Sequence, residues 1–232
     1  MSGIKMVQRG KAGAGLLIEQ DAGFIAPDDI RNKPFISEIS QLSEGKKIMV
    51  EPLTLFVVLQ KYGVKNKNGR IYPEDILRRE AKNYEELIRN RLAIGEAEHP
   101  ESAVINSSRV SHEIRKIWWE GKTLVGEIEI IMSPGFITQG IISCEGDRIA
   151  NLLRKGIRVG VSSRGVGSVN QVGEVLVVQD DFELICWDIV TSPSTPGSYM
   201  FQDKLEAQPF MESEQKRKPL LLDGLDEFLS IQ

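Results

Sequence analysis

Three short strings in the sequence carry residue types that can do hydrolytic chemistry together. In GEAEHP (Gly95 to Pro100), His99 precedes a proline, which has no N–H to give and biases its neighbour away from helical geometry, so the imidazole sits on a loop or strand end. In GVSSRGVGS (Gly160 to Ser168), an extended chain places Val159, Val161 and Ser163 on one face and Arg158, Gly160 and Ser162 on the other. A hydroxyl there, followed by Gly165 and Gly167, has the makings of a nucleophile beside main-chain N–H groups able to hold an oxyanion. In ELICWDIV, Asp188 interrupts a run that is apolar on both strand faces. A buried carboxylate without a partner costs several kcal/mol, so one is expected: His99, or alternatively Arg158 or Arg164. If Asp188 accepts from one nitrogen of His99 while the other faces Ser162, the three form a general-base-activated nucleophile.

Each string also has a plainer reading: an exposed loop histidine, a serine-rich turn, a structural ion pair. Imidazole chemistry has only one other candidate, because the chain contains two histidines, and His112 lies in VSHEIRKIWW ahead of a strand. Glu96 and Glu98 read as solvated loop charges, either of which can orient the imidazole if Asp188 does not. The two cysteines, Cys144 and Cys186, form no CxxC pattern, so no metal, disulfide framework or cofactor is expected. A net charge of −4, with Lys and Arg interspersed among Asp and Glu, argues against nucleic acid as a partner. No apolar run approaches the ~20 residues that cross a bilayer, and the first residues lack the hydrophobic segment of a secretory signal. No membrane partner is expected.

The elements that must hold these residues follow from periodicity. From Ile48, IMVEPLTLFVVLQKYGV reads as a strand region, followed by a turn in KNKNGRIYP. Pro73 suits a first helical turn, and Ile76, Leu77, Ala81, Tyr84, Leu87, Ile88 and Leu92 recur at spacings of three and four, which predicts an amphipathic helix. The segment holding His99 reads as a loop. A hairpin turns at Glu120-Gly121-Lys122, a second helix covers residues 145 to 156, and three strands follow in IRVGVSSRGVGSV, GEVLVVQ and DFELICWDIV. Residues 1–47 read as an N-terminal arm, 48–202 as one α+β domain rich in antiparallel strands, and 203–232 as a tethered tail.

The strings NKNGRIYP, GEAEHP, IWWEG, GVSSRGVGS and the Asp188 strand, in that order, resemble the prohead core proteases of large tailed bacteriophages. The resemblance implies a serine endopeptidase with a herpesvirus-assemblin-like fold, a mostly antiparallel β-barrel surrounded by helices. It implies His99 as general base, a nucleophile at Ser162 or Ser163, and Asp188 where the herpesvirus enzymes use a second histidine. Strand phase favours Ser162, whereas Ser163-Arg164-Gly165 fits a Ser-any-Gly pattern, so the register stays open by one residue. Arg164 is implied as support for the oxyanion site.

The family acts in the host cytoplasm, inside the assembling procapsid, on scaffold and capsid proteins. Its cleavage follows Glu with Leu or Ile two residues earlier, and it trims itself. Glu19, Glu38, Glu44 and Glu227 fit that rule outside the domain, and Glu96 fits it inside. A homo-oligomer is expected. The competing reading is a non-catalytic scaffold or capsid-binding module that uses the apolar tail LLLDGLDEFLSI to dock. A serine esterase would need a Gly-x-Ser-x-Gly elbow, which the sequence lacks.

Overall fold

A computed structural model describes residues 49 and 51–201, together with the backbone of residues 15–18. The self-cleavage candidates Glu19, Glu38, Glu44 and Glu227, most of the arm and the tail from 203 lie outside the described residues.

Most of the framework is one antiparallel sheet of five strands. β2 (Leu53–Lys61) pairs with β6 (Thr123–Ile130), β6 with β5 (Val110–Glu120), and β5 with β4 (Ile94–Glu96), while β11 (Met200–Phe201) flanks β2 on its other side. The β5–β6 hairpin turns at the predicted place, with Gly121 in the left-handed region (φ +57°) that glycine enters without steric cost. β7 (Gly160–Gly167) lies between β10 (Glu183–Val190) and β1 (Gly15–Ile18) in a second, three-stranded antiparallel sheet. A third small sheet combines β3 (Arg70–Ile71) with the hairpin of β8 (Val169–Val172) and β9 (Val175–Val178), and β3 runs parallel to β9.

The expected closed barrel is not formed among the described residues. The ladders fall into three sheets, and single-residue bridges, Ala97 to Ile189 and Gly160 to Tyr199, span the two larger ones. Prolines explain why these bridges do not lengthen into ladders. Pro100 ends the run beyond Ala97, and Pro193 and Pro196 interrupt the chain that approaches β11. None of the three can donate to a ladder.

Two helices match their predicted periods, shortened at their ends. α1 (Glu74–Arg89) has Glu74 and Asp75 in its first turn and Arg89 in its last, as the helix dipole favours, and buries Ile76, Leu77, Ala81 and Tyr84. Leu92, read as part of its apolar face, lies beyond the helix and is exposed. The Tyr84 ring meets Trp187 of β10 edge-on at 4.7 Å, and Glu80, buried on the same helix, accepts the Leu184 N–H at 2.9 Å. These contacts hold α1 to β10.

A further helix absent from the sequence reading, α2 (Pro134–Gln139), is capped by the Ser133 hydroxyl and ends at Gly140 with φ +75°. It leads into α3 (Glu145–Arg154), whose Asp147 accepts the backbone N–H groups of Ser133, Ser143 and Cys144. Phe136, Ile149, Ala150 and Leu153 from this pair join the main core, which also contains Leu55, Val57, Ile114, Leu124, Ile128, Val159, Val161 and Trp187.

Candidate active site

The site is built where β4, β7 and β10 converge. In the antiparallel register of β7 and β10, Asp188 lies opposite Ser162, Trp187 opposite Ser163, and Cys186 opposite Arg164. Residues directly opposite share a face, so Ser162, Arg164, Cys186 and Asp188 occupy one face. Ser163 occupies the other, with Trp187 and the core under α1.

His99 arrives from β4. This strand was read as a loop; it forms because Gly95 lets it press against its neighbours. A Cβ at Gly95 would stand 2.2 Å from the Trp187 carbonyl oxygen and 2.5 Å from the His112 ring. Beyond β4, the Glu98 N–H donates to the Ile189 carbonyl at 2.8 Å, and Glu98 itself has φ +66°, an unusual conformation for a residue with a side chain. The chain thus turns along β10 just before His99.

The His99 Nδ1 lies 2.7 Å from Asp188 Oδ2, and both side chains are fully buried. A carboxylate only accepts, so Nδ1 holds the proton and Nε2 presents a lone pair. His99 Nε2 and Ser162 Oγ are both buried without a hydrogen-bond partner. Buried polar atoms are almost always satisfied; here a free base and a free hydroxyl belong to the same site.

Asp188 receives more than His99. Its Oδ1 accepts the Glu96 backbone N–H at 3.0 Å and Arg164 Nη2 at 3.1 Å, with the Cys186 thiol at 3.3 Å. Arg164 Nε stands 2.8 Å from Oδ2 with its N–H off line, so it contributes charge more than a hydrogen bond there. Burial pushes the Asp188 carboxyl up, but the His99 hydrogen bond and charge, the Arg164 charge and the Glu96 N–H outweigh it and hold the group below its ordinary range.

Arg164, expected as support for the oxyanion site, is tied to several groups around Asp188. Its Nη1 donates to the Ser102 carbonyl at 2.8 Å and its Nη2 to Glu96 Oε1 at 3.0 Å, besides the contacts to Asp188 and Cys186. A fully buried guanidinium next to two carboxylates is drawn to them, and these contacts fix Arg164 on Asp188 and Glu96.

Glu96, weighed as a solvated loop charge, is fully buried. The missed signal was its phase: a single carboxylate between Gly95 and Ala97, in a chain that also hides an arginine in GVSSRGVG. His112 is likewise fully buried, with Nδ1 at 2.9 Å from the Ser111 hydroxyl and Nε2 donating to the Trp187 carbonyl at 2.9 Å. It ties β5 to β10. Among the described residues no cluster of three or more His, Cys, Asp or Glu side chains could hold a metal ion, and no helix is long and apolar enough to cross a membrane.

A carboxylate-oriented imidazole and a buried serine hydroxyl without a partner, on a sheet-dominant scaffold with few helices, are side chains of the kinds that hydrolytic enzymes use. Comparison with known proteins narrows the class. A family model described as prohead core protein serine protease matches residues 16–208, and the chain belongs to that family. The prohead core protein protease of Enterobacteria phage T4 is 30% identical over 161 residues, which span 68% of this chain and 72% of that protein. The solved structure of the bacteriophage T4 capsid assembly protease, gp21, superposes with a TM-score of 0.60 at 26% identity, covering 78% of this chain and 100% of the other.

Proposed function

We propose that the chain is a serine endopeptidase of capsid maturation in which Ser162 is the nucleophile, His99 the general base and Asp188 the residue that orients His99. The observation that carries this reading is the pair of buried, unpartnered atoms, His99 Nε2 and Ser162 Oγ, with the other imidazole nitrogen fixed on Asp188. Ser162 Oγ attacks the scissile carbonyl as its proton passes to Nε2. The resulting imidazolium is stabilised by Asp188 and then gives the proton to the leaving amine, which leaves an acyl group on Ser162 for water to release. Ser163 is the weaker candidate because it shares its face with Trp187.

The substrates in this reading are scaffold and capsid proteins inside the procapsid, cut after Glu in Leu/Ile-x-Glu contexts. The chain also trims itself at Glu19, Glu38, Glu44 and Glu227, works as a homo-oligomer, and keeps the herpesvirus-assemblin-like organisation. Support for the self-trimming comes from β1, which pairs antiparallel with β7, Ile18 opposite Arg164, and directly precedes Glu19 in sequence.

Cleavage of a purified scaffold protein separates the candidates. Ser162→Ala should lower the rate by three or more orders of magnitude, as removal of a triad nucleophile does, and Ser163→Ala should retain most of it. Undiminished cleavage by Ser162→Ala with loss in Ser163→Ala would move the nucleophile to Ser163, and undiminished cleavage by both would end the serine-nucleophile reading. No cleavage by the wild-type chain would favour the capsid-binding module.

A further inference from the structure

Four charged side chains meet behind His99, and their count matters. Asp188, Glu96 and Arg164 are fully buried, whereas Arg109, whose Nε stands 3.3 Å from Glu96 Oε2, is 44% exposed in its side chain. With His99 neutral, the buried set holds two carboxylates and one guanidinium. A proton on His99 makes it even. If Arg164 faced Asp188 alone, that carboxylate would already be matched and an imidazolium would be in excess. Glu96 prevents this by accepting Arg164 Nη2 at 3.0 Å.

The same two residues pin the chain that carries His99. Glu96 donates its backbone N–H to Asp188 and accepts the Asn106 N–H at 2.9 Å, while Arg164 holds the Ser102 carbonyl at 2.8 Å. We infer that Glu96 and Arg164 are positioning residues acting through Asp188, with Glu96 sharing the Arg164 cation so that the Asp188 charge stays available to the imidazolium formed during catalysis. This inference rests on the Ser162–His99–Asp188 reading proposed above.

Three further titratable groups near this cluster, His112, Tyr84 and Cys186, carry no charge near neutral pH, while Glu98 and Glu101, neighbours of His99 in sequence, are exposed. Burial lowers His112 of β5 to about 4, against the charge of Asp188 and the Trp187 carbonyl. Burial, reinforced by nearby negative charge, raises the Tyr84 phenol of α1 and the Cys186 thiol of β10 well above their ordinary values. The buried charges nearest His99 are therefore those of Glu96, Arg164 and Asp188, with Arg109 at the rim.

The test uses diisopropyl fluorophosphate on the full chain, read as the mass gained per molecule over time across pH 5 to 9. Labelling forms an Oγ–P bond on Ser162 as the P–F bond breaks, fluoride leaves, and the serine proton passes to His99. Glu96→Gln removes a negative charge and should move the acid limb of the rate profile to lower pH by about one unit, and Arg164→Gln should move it to higher pH by a similar amount. The double variant should bring the limb back near its wild-type position, because opposite charges have been removed together. A purely structural role gives additive losses of rate with an unmoved limb, and that result overturns the inference. Arg164→Lys, which keeps the cation, should leave the limb in place, so Glu96→Gln and Arg164→Lys decide the matter if Arg164→Gln does not fold. Labelling that persists in Ser162→Ala would instead overturn the nucleophile reading beneath the inference.

Discussion

The two histidines of this chain show how environment, and not residue type, assigns a role. His99 has one nitrogen on a carboxylate and the other free; His112 has both nitrogens engaged, by a hydroxyl and a carbonyl. Burial lowers the His112 pKa to about 4 from an ordinary 6.5. The folded protein therefore holds the neutral ring, and the linkage has a definite sign. Above pH 6.5 both the folded and unfolded states are neutral there. As pH falls toward 4 the unfolded chain takes up a proton that the folded one refuses, and stability is lost, on the order of 3 kcal/mol once pH is below both values. Urea unfolding midpoints at pH 7 and pH 4.5 check this. His112→Leu should be less stable than wild type at pH 7, because the Ser111 hydroxyl and Trp187 carbonyl lose their partner, and it should lose less on acidification. An equal acid loss in both proteins would mean that other groups, Asp188 among them, account for it. At this scale the sequence was legible where residue chemistry is rare: two histidines, a serine pair and one carboxylate in an apolar run. It was least legible for Glu96, since a carboxylate's burial depends on a cation that arrives from β7, far along the chain.

At the scale of elements, legibility followed the length of the periodic signal. The helical faces of α1 and α3 and the β5–β6 hairpin have repeating patterns, and they form where expected. β4 has three residues and α2 six, too short for a period to show, and both depend on neighbours: β4 on β5 and β10, α2 on its Ser133 cap. The strand expected in GEVLVVQ forms as β9, but the separate β8 that pairs with it to make a hairpin is absent from the sequence reading. Gly95 offers a test of how tightly β4 is held. Its α-carbon faces the Trp187 carbonyl so closely that any Cβ must push β4 away from β10. Gly95→Ala should cost about 1–3 kcal/mol, the usual range for forcing atoms into a packed interior. Because the next residue supplies the N–H that Asp188 accepts, hydrolytic rate should fall along with thermal stability. A variant as stable and as active as wild type would show that β4 and β10 can separate without disturbing Asp188.

For the whole molecule, the expected division into an arm, a central domain and a tail meets one structural observation, the pairing of β1 with β7. An edge strand invites pairing by another extended segment, and β7, which bears the proposed nucleophile, has β10 on one side and this chain's own residues 15–18 on the other. If self-trimming occurs at Glu19, the segment being cut is covalently tethered to the enzyme that cuts it. Its effective concentration is then set by the intervening chain and not by the solution. Loss of the first 19 residues should therefore be first order, with a rate constant unchanged over a hundredfold range of protein concentration when followed by intact mass. Cleavage at Glu227, which lies outside the described residues, should accelerate with concentration if neighbouring molecules perform it. Mixing wild type with an isotopically heavy Ser162→Ala chain separates the routes, since the heavy chain should lose its tail to wild type while its first 19 residues persist. Removal of those residues from the heavy chain, at the rate seen in wild type, would show that the β1 segment is cut between molecules and that its pairing with β7 does not direct the reaction.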